Sequence, residues 1–399
     1  MKIQLSKRLD GVSESATLKL NAAVQAMKAA GVDVVNLTAG EPDFNAPDSS
    51  KRAVERALAE NKSKYTPVPG IPELRELVAK KTNLQQPSVV KDASPWKAAD
   101  IVVSNGGKQA IFNALMALIN PGDEVVVPAP YWLSYPEMTK LAGGRPVIVP
   151  TKIENGYKAA PEDLEAAIGD QTKVLILNSP SNPTGGTYSR EEYAAIGKML
   201  LKHPHVVVIS DEIYDRILFT DKPFASFLES TPALKERVIT VNGMSKSAAM
   251  TGWRIGWTVA VSHFTQAIQT LQGQCSSGIN ALAQYASVAA LQLPEEDFAE
   301  QVKSFRARRD LTLEILGKAA KIKLMTPMGA FYAFVGVGAY LKPGEDSLGF
   351  CEALLESAKV AAVPGTPFGA PESIRLSFAT DERSLREGCE RIVNFLKTR

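Results

Sequence analysis

A chain of 399 residues, 45% hydrophobic and 22% charged, has the make-up of a globular protein long enough for two domains. Its 45 basic residues against 43 acidic ones leave a formal charge of +2, which argues against nucleic acid or a membrane surface as partner. Three widely separated cysteines (Cys275, Cys351, Cys389) exclude a disulfide framework, and three histidines leave little material for a zinc site or a histidine-centred triad.

From the start of the chain, residues 1–12 alternate polar and apolar side chains and hold no apolar run of signal-peptide length. No window approaches the roughly 20 apolar residues that span a bilayer, so a cytoplasmic location is expected. Four short apolar, β-branched runs then stand out: 101–104 (IVVS), 174–178 (VLILN), 206–210 (VVVIS) and 238–242 (VITVN). Unbroken runs of this kind suit strands buried on both faces, as in a parallel sheet. Residues 107–120 place apolar side chains at helical spacing and stop at Pro121-Gly122, and 190–202 reads similarly. Strands alternating with helices predict an open α/β sheet. From about Pro294 a charged helix over 295–316 leads into mixed strand and helix patterns. Residues 49–293 are therefore expected to form a large domain. Residues 294–399 form a smaller α/β one that recruits 1–48, since the first 35 residues have no strands of their own to pair with.

Ligands of open α/β sheets bind just beyond the carboxyl ends of the strands. After IVVS comes Asn105-Gly106-Gly107-Lys108, and after VLILN comes Ser179-Pro180-Ser181-Asn182-Pro183-Thr184-Gly185. After VVVIS comes Asp211-Glu212-Ile213-Tyr214, and after VITVN comes Gly243-Met244-Ser245-Lys246, with Arg254 eight residues beyond Lys246. Taken singly, each feature has an ordinary reading. Glycines at a strand-to-helix turn are common, although free N–H groups there can meet a phosphate. Asp211 could cap a helix, yet a carboxylate closing an apolar strand needs a cationic partner, and a protonated ring nitrogen would serve. Lys246 could be a surface lysine, but its neighbours are two serines in a buried context. Arg254, between Trp253 and Ile255, should pair with an anion rather than be solvated. A phosphate-binding P-loop is excluded because Val102 stands where its first glycine belongs, and no G-x-G-x-x-G follows an early strand. Together the four strand ends point to one site.

Taken together, these residues resemble those of a known family. The chain resembles the class I pyridoxal-phosphate aminotransferases of fold type I and, within them, the bacterial aspartate aminotransferases. The likeness runs from AGEPDF at 39–44 to RLSFA at 375–379, through NPTG at 182–185, SDEIY at 210–214 and SKSAAMTGWRIGW at 245–257. It implies that Lys246 holds pyridoxal 5'-phosphate covalently, that Asp211 pairs with the pyridine nitrogen, and that Tyr214 and Asn182 hydrogen-bond the phenolic oxygen. It puts Gly106, Gly107 and Arg254 around the phosphate, makes Ser245 a further cofactor contact, and places Trp132 (in PYWLSY) against the ring and Tyr65 at the phosphate of a neighbouring subunit. Arg375 corresponds to the arginine that grips the substrate α-carboxylate, with Gly40, Trp132 and Asn182 nearby. Gly243 departs from the pattern, since other members carry a serine there. Lys108 is the candidate for the distal carboxylate of an acidic substrate, with Ser15 and Thr17 as helpers; contact with the phosphate alone is its other reading.

The activity the resemblance implies is reversible transfer of the amino group of L-aspartate to 2-oxoglutarate by a ping-pong mechanism, in a homodimer with its sites at the interface. An aromatic, alanine or prephenate aminotransferase, or a β-lyase, is the alternative on the same scaffold. Ser13 stands where members that accept prephenate tend to carry a lysine, so poor use of prephenate is expected. A regulator built on this scaffold would carry a DNA-binding segment ahead of it, for which the short N-terminus leaves no room. The missing dinucleotide fingerprint argues against a nicotinamide dehydrogenase.

Overall fold

In the computed structural model, which describes residues 6–14 and 16–399 without the side chains of 17–19 and 21, the four apolar runs lie in one seven-stranded sheet. Across it the order is Ile101–Ser104, Gly256–Val259, Val238–Gly243, Val207–Asp211, Thr172–Asn178, Glu124–Ala129, Arg145–Pro150. Neighbours pair parallel except around Gly256–Val259, which runs antiparallel to both of its partners. The runs are apolar throughout because both faces of the sheet are covered. Val102, Ile176, Ile209 and Val241 pack on one side with the helix Gly107–Leu118, while Val103, Leu175, Leu177 and Val208 pack on the other.

The strands Glu124–Ala129 and Arg145–Pro150 escape a reading by pattern because Pro128, Pro146 and Pro150 interrupt them. Arg145–Pro150 lies at the sheet edge, where a missing N–H is tolerated. Two expected helices end slightly earlier than their patterns, at Leu118 and Leu200. The second, Arg190–Leu200, opens on a capping box in which Ser189 Oγ accepts from Glu192 N at 3.2 Å and Ser189 N donates to Glu192 Oε2 at 2.7 Å. Such a cap stabilises a helix by about 1 kcal/mol. The charged segment resolves into a 3-10 turn, Glu295–Phe298, and the helix Ala299–Leu316.

A smaller domain is built on a four-stranded antiparallel sheet ordered Val363–Pro364, Ser373–Ser377, Tyr332–Gly336, Lys323–Leu324. Helices Ala299–Leu316, Ser347–Ala358 and Glu382–Leu396 bury Phe305, Phe350, Leu354 and Ile392 against it. Val35–Asn36, near the front of the chain, pairs parallel with Val360–Ala361. Tyr214, Ile217 and Phe219, just past the strand that ends in Asp211, join this second core, so the two sheets meet close to that carboxylate. No helix among the described residues is long and apolar enough to cross a membrane.

Candidate active site

The strand register brings the chemistry-bearing ends together. Asn178 is level with Asp211 on adjacent strands, and Gly256 is level with both Gly243 and Ser104. Because Gly256–Val259 runs against its neighbours, the residues before it, Arg254 included, arrive at the same edge as the residues after the parallel strands. A cavity of about 270 Å³ opens there, lined by Gly40, Gly107, Lys108, Trp132, Asn182, Asp211, Tyr214, Ser245, Lys246, Arg254 and Arg375 among others.

Asp211 is 4% exposed. Its Oδ2 accepts from the Tyr135 hydroxyl at 2.7 Å and its Oδ1 from the Ile213 backbone N–H at 3.2 Å. Burial pushes the carboxyl up to about 6, against those two hydrogen bonds and the charge of Lys246. Lys246, in the short helix Met244–Ser247, donates from Nζ to the Gly40 carbonyl. Burial brings its ammonium down to about 8; Arg375 and Arg254 act in the same direction, and Glu41 and Asp211 oppose it.

Arg375 comes from the small sheet and is 2% exposed. Nη1 donates to Asn182 Oδ1 at 3.0 Å, Nη2 to the Thr38 carbonyl at 2.9 Å, and Nε is buried with no partner among the described residues. The guanidinium lies 4.4 Å from the Tyr332 ring centroid. Tyr332 and Tyr214 face each other hydroxyl to hydroxyl at 3.0 Å, both buried.

At the other wall the first turn of Gly107–Leu118 presents Lys108, whose Nζ sits 5.1 Å from the Trp132 ring centroid. Burial, then the charge of Arg254, lowers its affinity for a proton, and no described carboxylate pairs with it. Gly106 has φ +86°, and a Cβ there would fall 2.5 Å from Arg254 Nη2, so glycine lets the guanidinium lie on the backbone at the helix start. Arg254 itself differs from expectation. It is exposed, with φ +58°, and donates to the carbonyls of Thr251 at 2.9 Å and Asn105 at 3.2 Å. The apolar run around it ends in a left-handed turn that lifts this one side chain to the rim of the cavity. Gly243 has a steric reason, since a Cβ would come within 2.7 Å of the Ile255 carbonyl oxygen and 2.9 Å of Gly256 Cα.

Tyr65 does not reach this cavity. It is 98% exposed and lines a separate surface depression with Ile279 and Leu282. Ser15 lies outside the described residues; Thr17 falls in the helix Ala16–Ala29, but its side chain is also outside them. Sequence reasoning missed Tyr135, Tyr332 and Asn178, which line the same cavity. Tyr135 stands inside the PYWLSY run and Asn178 at the tip of VLILN, so position offered a signal for both; Tyr332 offered none.

The geometry suits pyridoxal phosphate. Asp211, the one acidic side chain in the lining, is paired against four cations: Lys108, Lys246, Arg254 and Arg375. Such a balance calls for anionic occupants, and the partnerless Arg375 Nε adds an unused buried donor.

The profile of the family described as "Aminotransferase class I and II" matches residues 32–392. The chain is 42% identical to the aspartate/prephenate aminotransferase of Cereibacter sphaeroides over 98% of each chain. It is 38% identical to that of Nitrosomonas europaea, covering 99% of this chain and 100% of the other. Among solved structures, the aspartate aminotransferase from Rhizobium meliloti superposes with a TM-score of 0.93 at 38% identity over 99% of both chains. That from Thermus thermophilus with maleate gives 0.91 at 40% identity, over 98% of this chain and 100% of that one.

Proposed function

The chain belongs to the aminotransferase class I and II family, which uses pyridoxal 5'-phosphate, and from that premise we propose that it moves the amino group of L-aspartate to 2-oxoglutarate, giving oxaloacetate and L-glutamate. The observation that carries the choice of substrate is the pair of cations that, among the described residues, are left unspent in one cavity: Arg375, whose Nε has no hydrogen-bond partner there, and Lys108, which meets no carboxylate there. A dicarboxylic substrate meets both. The Thermus thermophilus structure was solved with maleate, itself a dicarboxylate.

When bound, the cofactor supplies the electron sink that lets a Cα proton leave. The protein holds and aims it. Asp211 would pair with the ring nitrogen, Asn182 and Tyr214 would hydrogen-bond the phenolic oxygen, and Trp132 would lie against the ring. The phosphate would be held by the helix start at Gly106 and Gly107 and by Arg254, with Ser245 as a further cofactor contact. Lys246 would be the covalent anchor; displaced by the substrate amine, its Nζ would take the proton from one carbon and return it to another. Arg375 grips the α-carboxylate and so fixes the direction of the Cα–H bond. In this reading residues 49–293 carry the cofactor and 1–48 with 294–399 form the smaller domain, a division supported by the pairing of Val35–Asn36 with Val360–Ala361.

Lys108 tests the substrate. Leaving a partly desolvated carboxylate unpaired costs about 2–5 kcal/mol. Lys108→Ala is expected to lower kcat/KM for aspartate roughly thirtyfold or more, with a much smaller effect on alanine. Equal losses on both substrates, with weaker cofactor retention, would assign Lys108 to the phosphate alone. Prephenate belongs in the same series. The names of the relatives from Cereibacter and Nitrosomonas favour its use, while Ser13 in place of a lysine argues against it. Efficient turnover of prephenate by the wild type would decide for the broader specificity.

The assembly belongs to the same proposal. A tyrosine that is 98% exposed beside Ile279 suits a residue given to a partner, and a two-fold dimer is the commonest closed assembly. Tyr65→Ala and Lys246→Ala subunits, dissociated and mixed, are expected to recover activity in the hybrids, where one site keeps both residues. Hybrids as inactive as their parents would place Tyr65 outside the site.

A further inference from the structure

Tyr135 has no role in the mechanism above, yet among the described residues it makes the shortest hydrogen bond to Asp211. Its hydroxyl donates to Oδ2 at 2.7 Å, a well-formed O–H···O hydrogen bond. The phenol is 2% exposed, so it has given up water for this one partner. It stands in the first turn of Ser134–Leu141, and its ring meets Trp132 edge-on, 5.3 Å between centroids at 87°. One side chain therefore touches both the carboxylate and the indole proposed to bracket the cofactor ring.

The other groups facing Asp211 do different work. The Ile213 N–H holds the opposite oxygen. Lys246, from Met244–Ser247, acts on the carboxylate through its charge. Tyr214, from the loop beyond the strand, has its hydroxyl turned to Tyr332. Among the described residues, Tyr135 alone gives Asp211 a side-chain hydrogen bond. A carboxylate held at both oxygens cannot rotate freely about its terminal torsion, and a hydrogen bond to its ionised form favours that form.

We propose that Tyr135 is a positioning residue that locks the rotation of the Asp211 carboxylate and keeps it anionic for the cofactor's ring nitrogen. This rests on the reading that Asp211 serves that nitrogen. Since burial raises the carboxyl, to about 6 in this structure, loss of the phenolic donor raises it further and shifts the acid limb of activity to higher pH.

Tyr135→Phe removes one hydroxyl and keeps the ring. In the loaded enzyme it is expected to raise the dissociation constant of the cofactor about tenfold, and to move the acid limb of kcat/KM for aspartate up by about one pH unit. Asp211→Asn is expected to weaken cofactor binding more. Adding Tyr135→Phe to Asp211→Asn should then change the dissociation constant by less than about twofold, because the phenol acts through the carboxylate. A Tyr135→Phe enzyme with wild-type affinity and pH profile, beside an impaired Asp211→Asn enzyme, overturns the proposal, as does an undiminished effect in the double variant. Wild-type affinity and pH profile in Asp211→Asn would instead sink the reading of Asp211, and this proposal with it. Should Tyr135→Phe fail to fold, 3-fluorotyrosine at position 135 keeps the shape and strengthens the donor. The acid limb must then move to lower pH, and an unmoved limb overturns the assignment.

Discussion

Replacing Lys246 with alanine is expected to lower kcat by about 10³-fold or more, because in the proposed mechanism one substitution removes the covalent anchor and the proton carrier together. An ordinary lysine, near 10.4, is almost wholly protonated at neutral pH. At about 8 the Lys246 amine is free base in a useful fraction of molecules. The same shift sets the sign of a stability effect. A folded-state value below the unfolded one means that the native protein holds this proton less tightly. The charged side chain therefore costs stability below about pH 8, and the cost fades as the pH climbs towards the ordinary lysine value. Cofactor-free Lys246→Ala is accordingly expected to melt no lower than cofactor-free wild type at pH 7, by calorimetry, while its turnover is lost. A folded Lys246→Ala enzyme that keeps more than a small fraction of wild-type kcat would remove Lys246 from the centre of the mechanism.

Arg375→Ala is expected to cost roughly 10²–10³-fold in kcat/KM for every amino-acid substrate, acidic or not. The guanidinium is buried and held by Asn182 and the Thr38 carbonyl, so its plane is set before substrate arrives. Truncation is expected to remove the proposed grip on the α-carboxylate that all amino acids share, unlike loss of Lys108, which is expected to penalise the acidic ones. Arg375→Lys should restore only part of the activity, because an ammonium cannot reproduce the two parallel donors of the fork. Steady-state kinetics on aspartate and alanine, with cofactor retention measured in parallel, make the check. Losses confined to aspartate would move the α-carboxylate clamp elsewhere.

The two phenols show where legibility stopped. Tyr135 is three residues from Trp132, which the sequence singled out, yet only the turn of Ser134–Leu141 aims it at Asp211, 76 positions away. Tyr332 meets Tyr214 across 118 positions, between a small-sheet strand and the loop beyond a large-sheet strand. Arg254 is the opposite case, in which the position was read and the burial was not. Its neighbours Trp253 and Ile255 suggested an apolar setting, and a left-handed backbone turned its side chain outward.

What the amino-acid sequence determined by itself was local. Strand identity follows from short runs of β-branched residues, helix ends from Gly, Pro and capping serines, and the chemistry from polar side chains placed where apolar strands stop. Those patterns carried the α/β fold, the family resemblance and most of the cavity lining. Only the tertiary structure decided which strand lies beside which, that Gly256–Val259 runs backwards and delivers Arg254 to the common edge, and that Arg375 reaches Asn182 across 193 positions. The reason is physical. Strand order and register come from long-range packing whose free energy is spread over both faces of a sheet, so no stretch of chain encodes its distant partner in its own periodicity.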